Sequence, residues 1–234
     1  MERIRKFKNY INGNWVETVT QRTFEQRNPA QLSQITGQFQ NSSEDDVQNA
    51  IAAAQAAFPL WKALTSFQRA EQLRRVLDLI VRRKEEISTI ITLENGKILS
   101  DSVLEVESAI KEMDFQINEG LRLSGEIAPL DLNGVFAYTL KEPLGVVSII
   151  SPWNFPFNVP IRKITPALMA GNSCVFKSAS LTAQTGCFLA RMFEEADVIP
   201  GVFNMLTGSG AEVGDMMIRD PRIKAISFTG STEV

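Results

Sequence analysis

The spacing of hydrophobic and polar positions changes twice along the chain. At the start, "KNYINGNWVET" alternates around Asn12-Gly13, which predicts a β-hairpin, and "RNPAQ" follows as a loop. From Ser43 the period becomes helical. "SSEDDVQNAIAAAQAAFPLW" opens with Ser43 as a candidate N-cap and acids in the first turn, and Val47, Ile51, Ala54 and Phe58 fall on one face. "SFQRAEQLRRVLDLIVRRKEEISTIITLENGK" predicts a second helix, with Leu73, Leu77 and Ile80 on one side and Gly96 ending or breaking it. A third runs from about Ser100 to Glu119, with Val103, Val106, Ile110, Met113 and Ile117 in register. "GEIAPLDLNGVFAYTLKEPLGVV" then changes texture: Asn133-Gly134 signals a turn, and the stretch reads as an antiparallel arm.

Beyond the arm, short apolar runs recur. "GVVSIISP", "SCVFK", "GVFNMLTG" and "AISFTG" predict four strands, roughly 23–28 residues apart, with a helical pattern in each gap. Leu189, Met192 and Phe193 mark one of these helices. Another starts with a capping box from Ser209 to Glu212, ahead of Val213, Met216 and Met217. Strand, helix, strand at this spacing implies a parallel α/β sheet with right-handed crossovers. Such sheets bind ligands beyond the carboxyl ends of their strands. Those ends read "SPWN", "KSAS", "TGSG" and "TGST", each with small or hydroxyl residues ahead of a helix, where backbone amides attract phosphate. Gly and Ser also simply terminate strands. "TGSGAEVG", with Gly208, Gly210 and Gly214, departs from the G-x-G-x-x-G fingerprint. Four such ends in succession, one carrying Lys177, favour a nucleotide site.

Composition narrows the chemistry. With 44% hydrophobic and 22% charged residues and a net charge of −3, the chain reads as an ordinary globular protein without a nucleic-acid footprint. No apolar run suits a secretory signal or a membrane span, so a cytoplasmic location is expected. The absence of histidine excludes Ser-His-Asp and Cys-His catalysis within these residues and removes the commonest nitrogen ligand for zinc; no metal site is expected. Cys174 lies in an apolar strand and Cys187 beside Phe188 and Leu189 on a helix. Both read as core residues without a base to activate them, so neither is a credible nucleophile.

Three residues remain as candidates. Asn154 sits in "SPWNFPFNVP", where prolines force a turn and aromatics wall it. A neutral amide there suits an oxyanion, or it bonds to backbone in a packed turn. Lys177 ends a strand, where it either meets a ribose or phosphate or snorkels to water. Arg162, two helical turns past Asn154, either faces solvent or meets an anionic substrate group.

"PWNFP" at 152–156, "GNSCVFKSAS" at 171–180, "GVFNMLTGSG" at 201–210 and "SFTGSTEV" at 227–234 together resemble the NAD(P)-dependent aldehyde dehydrogenase superfamily. "YINGNWV", "NPA", "AFPLW" and "YTLKEPLGVV" fit the same likeness, which covers essentially the whole chain. The resemblance implies a Rossmann-like cofactor-binding domain. A hairpin and helical layer would occupy residues 1–125, an oligomerisation arm 126–142, and a βαβ dinucleotide-binding core 143–234. It implies that Asn154 is the oxyanion amide and that Ile150, Ser151, Pro152 and Trp153 floor the nicotinamide side. Lys177, with the strand end Ser178-Ala179-Ser180, would meet the adenosine ribose. Gly210 and Gly214 would lie near adenine, and Phe228, Gly230 and Ser231 at the turn facing the pyrophosphate. The partners implied are a small-molecule aldehyde and, for the complete protein, further copies of itself.

Two departures from the family pattern stand out. Where the family usually reads Lys-Pro-Ser/Ala-Glu, this chain reads Lys177-Ser178-Ala179-Ser180. The missing Glu would chelate both ribose hydroxyls and repel a 2′-phosphate, so NADP is expected to be accepted at least as readily as NAD. The family sequence also continues beyond "FTGSTEV" with the general-base Glu and a domain carrying the nucleophilic Cys. The chain therefore reads as a cofactor domain truncated before its last strand, without turnover on its own. Arg162 stands where the family's semialdehyde dehydrogenases carry an arginine for the substrate carboxylate, which implies an ω-semialdehyde ahead of aromatic or aliphatic aldehydes. A non-catalytic nucleotide-binding or subunit-pairing remnant is the alternative.

Overall fold

The computed structural model describes residues 4–231, so the last three residues of the "SFTGSTEV" motif lie outside the described residues. Strands β1 (Asn9–Ile11) and β2 (Asn14–Val16) form the expected hairpin. Asn12 and Gly13 both take positive φ, 51° and 77°, the two-residue turn whose twist matches that of the strands. "RNPAQ" turns a second hairpin, β3 (Thr23–Asn28) and β4 (Gln31–Gln40), that the periodicity did not reveal. The first four residues of β4 are exposed, so apolar alternation survives only towards Phe39.

Helix α1 (Glu44–Ala63) starts at a complete capping box between Ser43 and Asp46. It buries Val47, Ile51 and Ala54 as expected, then Ala57 and Trp61, with Phe58 half-buried. The predicted second helix is two, α2 (Ser66–Arg82) and α3 (Lys84–Asn95). Arg83 between them leaves helical geometry (φ −107°, ψ 18°), and its guanidinium pairs with Glu195. α3 ends at Gly96, whose left-handed φ of 83° suits a residue without Cβ. Helix α4 (Leu99–Leu121) packs on α2, α3 and the later helix Asn158–Met169. Short strands β5 (Ile127–Ala128) and β6 (Ala137–Tyr138) pair antiparallel in the arm.

The remaining elements alternate: β7 (Val146–Ile150), α5 (Asn158–Met169), β8 (Ser173–Lys177), α6 (Ala183–Glu195), β9 (Phe203–Leu206), α7 (Gly210–Arg219) and β10 (Ile223–Phe228). The sheet order is β10-β7-β8-β9-β1-β2. Four strands are parallel, as expected. The N-terminal hairpin adds itself antiparallel through Tyr10 opposite Met205, so the sheet is mixed.

Side-chain alternation sorts the core onto both faces of the sheet. Val147, Ile149, Cys174, Phe176, Phe203 and Met205 join the cluster contributed mostly by α2–α6. Val146, Val175 and Leu206 join α1 and α7 on the other face. The result is an α/β sandwich with helices on both sides of a Rossmann-like sheet. Among the described residues, no helix is long and apolar enough to cross a membrane.

Candidate functional site

Register aligns the strand ends. Ile150 stands opposite Lys177 and Phe228, and Lys177 opposite Leu206, so four parallel strands finish in one row. The segments after them form a continuous rim.

The first segment is Ser151-Pro152-Trp153-Asn154, with Ser151 buried and Trp153 and Asn154 exposed. Asn95 Nδ2 donates to the Trp153 carbonyl (2.7 Å), and Lys97 Nζ to the Asn154 carbonyl (2.8 Å). Asn154 Oδ1 accepts from the Phe155 amide (3.1 Å), and Nδ2 has no acceptor among the described residues. One end of the Asn154 amide thus bonds to backbone, and the other bonds to no described residue.

At the second end, Lys177 is 3% exposed and makes no hydrogen bond or ion pair with any described residue. Burial pulls its pKa from 10.5 to about 8. A Cβ on Gly210 would lie 3.7 Å from Nζ, so the amine sits by the first turn of α7. The Ser178 amide donates to Leu206 O (3.2 Å), a ladder bond that a proline there could not make. Ser178 also packs against Gly186 on α6. Ala179 is half-buried, and Ser180 Oγ donates to Gly208 O (2.7 Å), tying the second segment to the third.

The third segment, Thr207-Gly208-Ser209, hangs on residues that the motifs did not single out. Asn9 Oδ1 accepts from the Thr207 amide (3.1 Å), and Ser42 Oγ donates to Thr207 O (2.6 Å). The expected capping box from Ser209 to Glu212 is half made. Ser209 Oγ accepts from the Glu212 amide (3.4 Å), but the Ser209 amide donates to Asn41 Oδ1 (3.3 Å) instead of to Glu212. Asn9, Asn41 and Ser42 carry no local signal, because their partners lie more than 160 residues away in sequence.

At the fourth end, the Thr229 amide donates to Ile150 O (3.1 Å), and Gly230 and Ser231 are exposed. A Cβ on Gly230 would fall 2.4 Å from the Phe228 ring. Between β7, β10 and α7 lies a cavity of about 510 Å³ lined by Ile150, Gly210, Gly214, Ile218, Ile226 and Phe228. Trp153 and Ser180 instead border a second cavity of about 460 Å³, whose wall includes Glu94. The buried Glu94 carboxyl accepts from the Gln184 and Thr185 amides (2.5 and 2.8 Å) and so caps α6. Burial pushes its pKa up to about 7 against the opposing pull of these bonds.

Arg162 is not gathered into the rim. It is more than half exposed on α5, with Nε 3.6 Å from Glu112 on α4. Its neighbour Lys163 points elsewhere, its ammonium donating to Ser227 Oγ on β10 (3.0 Å), with its pKa lowered by burial. Adjacent residues on a helix diverge by about 100°, which is why motif position alone did not bring Lys163 forward. Cys174 and Cys187 are buried, and burial raises both thiol pKa values. Among the described residues, no group of acidic, Cys or His side chains is spaced to hold a metal ion.

This architecture has close counterparts. The E. coli NADP-dependent enzyme matches with a TM-score of 0.95 and 35% identity, over 98% of this chain and 47% of that one. The NAD+ complex of the aldehyde dehydrogenase from Bacillus cereus matches with a TM-score of 0.94 and 31% identity, over 98% and 47%. In sequence, α-ketoglutaric semialdehyde dehydrogenase of Bacillus subtilis (strain 168) is 38% identical over 228 residues, which are 97% of this chain and 47% of that protein. The chain thus spans about half the length of the relatives it matches. The sequence profile of the aldehyde dehydrogenase family fits residues 15–234. On this fit and on the shared fold, the chain belongs to the aldehyde dehydrogenase family.

Proposed function

We propose that these residues supply the coenzyme site and the oxyanion amide of an enzyme that oxidises an aldehyde to a carboxylic acid with NAD(P)+. The observation that carries this reading is the rim itself. A buried amine without a partner among the described residues, Lys177, stands next to Gly210, which with Ile150, Gly214 and Phe228 lines a cavity; all four are residues the family likeness singled out. An unpaired buried ammonium is costly, and ribose hydroxyls would supply the missing acceptors. Gly210 and Gly214 leave space that Cβ atoms would narrow, which suits adenine entering between α7 and β10. Gly230 and Ser231 would border the pyrophosphate, and Ile150 to Trp153 the nicotinamide.

When bound, the coenzyme accepts the hydride from the substrate carbon. What these residues contribute is positional and electrostatic. Asn154 would present Nδ2, which has no acceptor among the described residues, to the oxygen that becomes negative when a thiolate adds to the aldehyde carbon. The buried thiols of Cys174 and Cys187 provide no such sulfur, so turnover is not assigned to these residues by themselves. The arm over 126–142, with Ile127, Phe136 and Leu140 each at least 70% exposed, is assigned to pairing with further copies of the chain.

Ser180 decides the coenzyme reading. Its hydroxyl carries no charge to repel a 2′-phosphate, and the E. coli relative is described as NADP-dependent. Titration calorimetry of this polypeptide with NADP+ and NAD+ tests the reading. Binding of both, with NADP+ at least as tight, is expected. Absence of binding would overturn the coenzyme site, and an NAD+ preference beyond about tenfold, ~1.4 kcal/mol, would overturn the role of Ser180.

A further inference from the structure

The turn that carries Asn154 is suspended from outside. Between Ile150 and α5, four backbone groups of residues 153–158 bond to side chains from the end of α3 to the second turn of α4. Asn95 Nδ2 holds the Trp153 carbonyl. Lys97 Nζ holds the Asn154 carbonyl at 2.8 Å and stands 4.6 Å from the centre of the Phe155 ring. The same ammonium donates to Glu105 Oε2 at 2.7 Å. Glu105 is fully buried in its side chain, and its other oxygen accepts from the Phe157 and Asn158 amides at 2.8 and 3.2 Å, at the start of α5. A buried carboxylate without partners would be strongly destabilising, but here three donors satisfy it. The lysine and the carboxylate therefore form one unit that fixes both flanks of Asn154: its own carbonyl on one side, the helix start on the other. With the backbone fixed, the Asn154 Oδ1 bond to the Phe155 amide sets the side-chain amide, and Nδ2 is left open.

We propose that Lys97 and Glu105 are positioning residues for the oxyanion amide, acting through the backbone of Asn154 and Phe157. Neither needs to touch substrate or coenzyme. The inference rests on the reading of Asn154 given above, and its test separates the two.

The experiment compares Lys97→Met, Asn154→Ala and the double variant in the catalytically competent enzyme, by steady-state kinetics, coenzyme titration and thermal unfolding. Asn154→Ala is expected to lower kcat about 10²- to 10³-fold, as loss of an oxyanion donor does. Lys97→Met is expected to lower kcat about 10- to 100-fold, the cost of misplacing a group by about 1 Å. Its coenzyme Kd should stay within about twofold, since the adenosine end of the rim is untouched. In the double variant the losses should not multiply, because Lys97 acts only through Asn154. Lys97→Arg should recover part of the rate by restoring a charged donor. If Asn154→Ala keeps full kcat, the reading of Asn154 fails. If Asn154→Ala is impaired but Lys97→Met is not, or if the two losses multiply, the positioning role fails. A loss of rate in Lys97→Met that only tracks its loss of folded protein or of coenzyme affinity overturns it equally. Should Lys97→Met not fold, Asn95→Ala relaxes the same turn through the Trp153 carbonyl. It must then reproduce the selective fall in kcat, or the proposal falls.

Discussion

Lys177 shows how a single residue can set stability against binding. Burial without a partner lowers its pKa from 10.5 to about 8. The folded state therefore gives up this proton more readily than the unfolded chain does. The sign follows: stability is highest above the unfolded value, falls as pH drops from about 10.5 towards about 8, and stays reduced below that. Lys177→Met should be more stable than the parent by up to about 3 kcal/mol at neutral pH, with the gap closing as pH rises through this window. The same substitution should weaken NADP+ by about tenfold, since a charge-assisted hydrogen bond is lost. Denaturant unfolding at several pH values and calorimetry check the two halves, and a variant no more stable than its parent would show that the amine is already paired. Arg162 makes the opposite case. It is exposed and loosely held by Glu112, so it is free to change partners. Arg162→Leu should raise KM about tenfold for aldehydes that carry a carboxylate and leave neutral aldehydes unaffected. Equal effects on both would remove Arg162 from substrate recognition.

At the scale of elements, what the sequence revealed was what local periodicity encodes. The four parallel strands, the N-terminal hairpin and α1 have a strong period and a local start or stop signal, and α4, whose start has no side-chain cap, was legible from its period alone. β4 escaped because its leading residues face solvent and its sequence is rich in Gln. The break at Arg83 escaped because no Gly or Pro marks it. The apolar stripe continues through it from Ile80 to Ile87, and the reasons visible for the break are distant: Glu195 and the Phe188 ring. The candidate site divides the same way. Lys177, Ser180, Gly210, Gly214 and Asn154 stand in motifs and could be named from them. Asn9, Asn41, Ser42, Lys97 and Glu105 could not, because what they do depends on contacts made only when the chain closes on itself. Ser178, which stands where the family pattern has proline, supplies one more ladder bond beside β8 and β9.

Across the described residues, helices lie on both faces of the sheet except at its β10 edge, where Ile226 and Phe228 stay exposed, and the arm also leaves apolar side chains in solvent. Ile127, Leu132, Phe136, Tyr138 and Leu140 are each at least 60% exposed around a two-residue pairing of β5 and β6. Exposed apolar patches of this kind mark contact surfaces. Sedimentation velocity should find self-association that Phe136→Ser combined with Leu140→Ser abolishes. Unfolding stability should change by less than about 0.5 kcal/mol per site, as for surface positions. A monomeric parent would remove the arm from assembly. The bond between Ser180 Oγ and the Gly208 carbonyl reaches further than its length. The residue proposed to choose between coenzymes is also the stitch between two neighbouring loops of the rim. A carboxylate can only accept, so a glutamate at 180 would face that carbonyl with nothing to give it. Redesigning coenzyme preference in this scaffold is therefore a problem of two positions: any residue that brings negative charge to 180 must be matched by a new donor for Gly208, or the preference changes along with the loop that reads it.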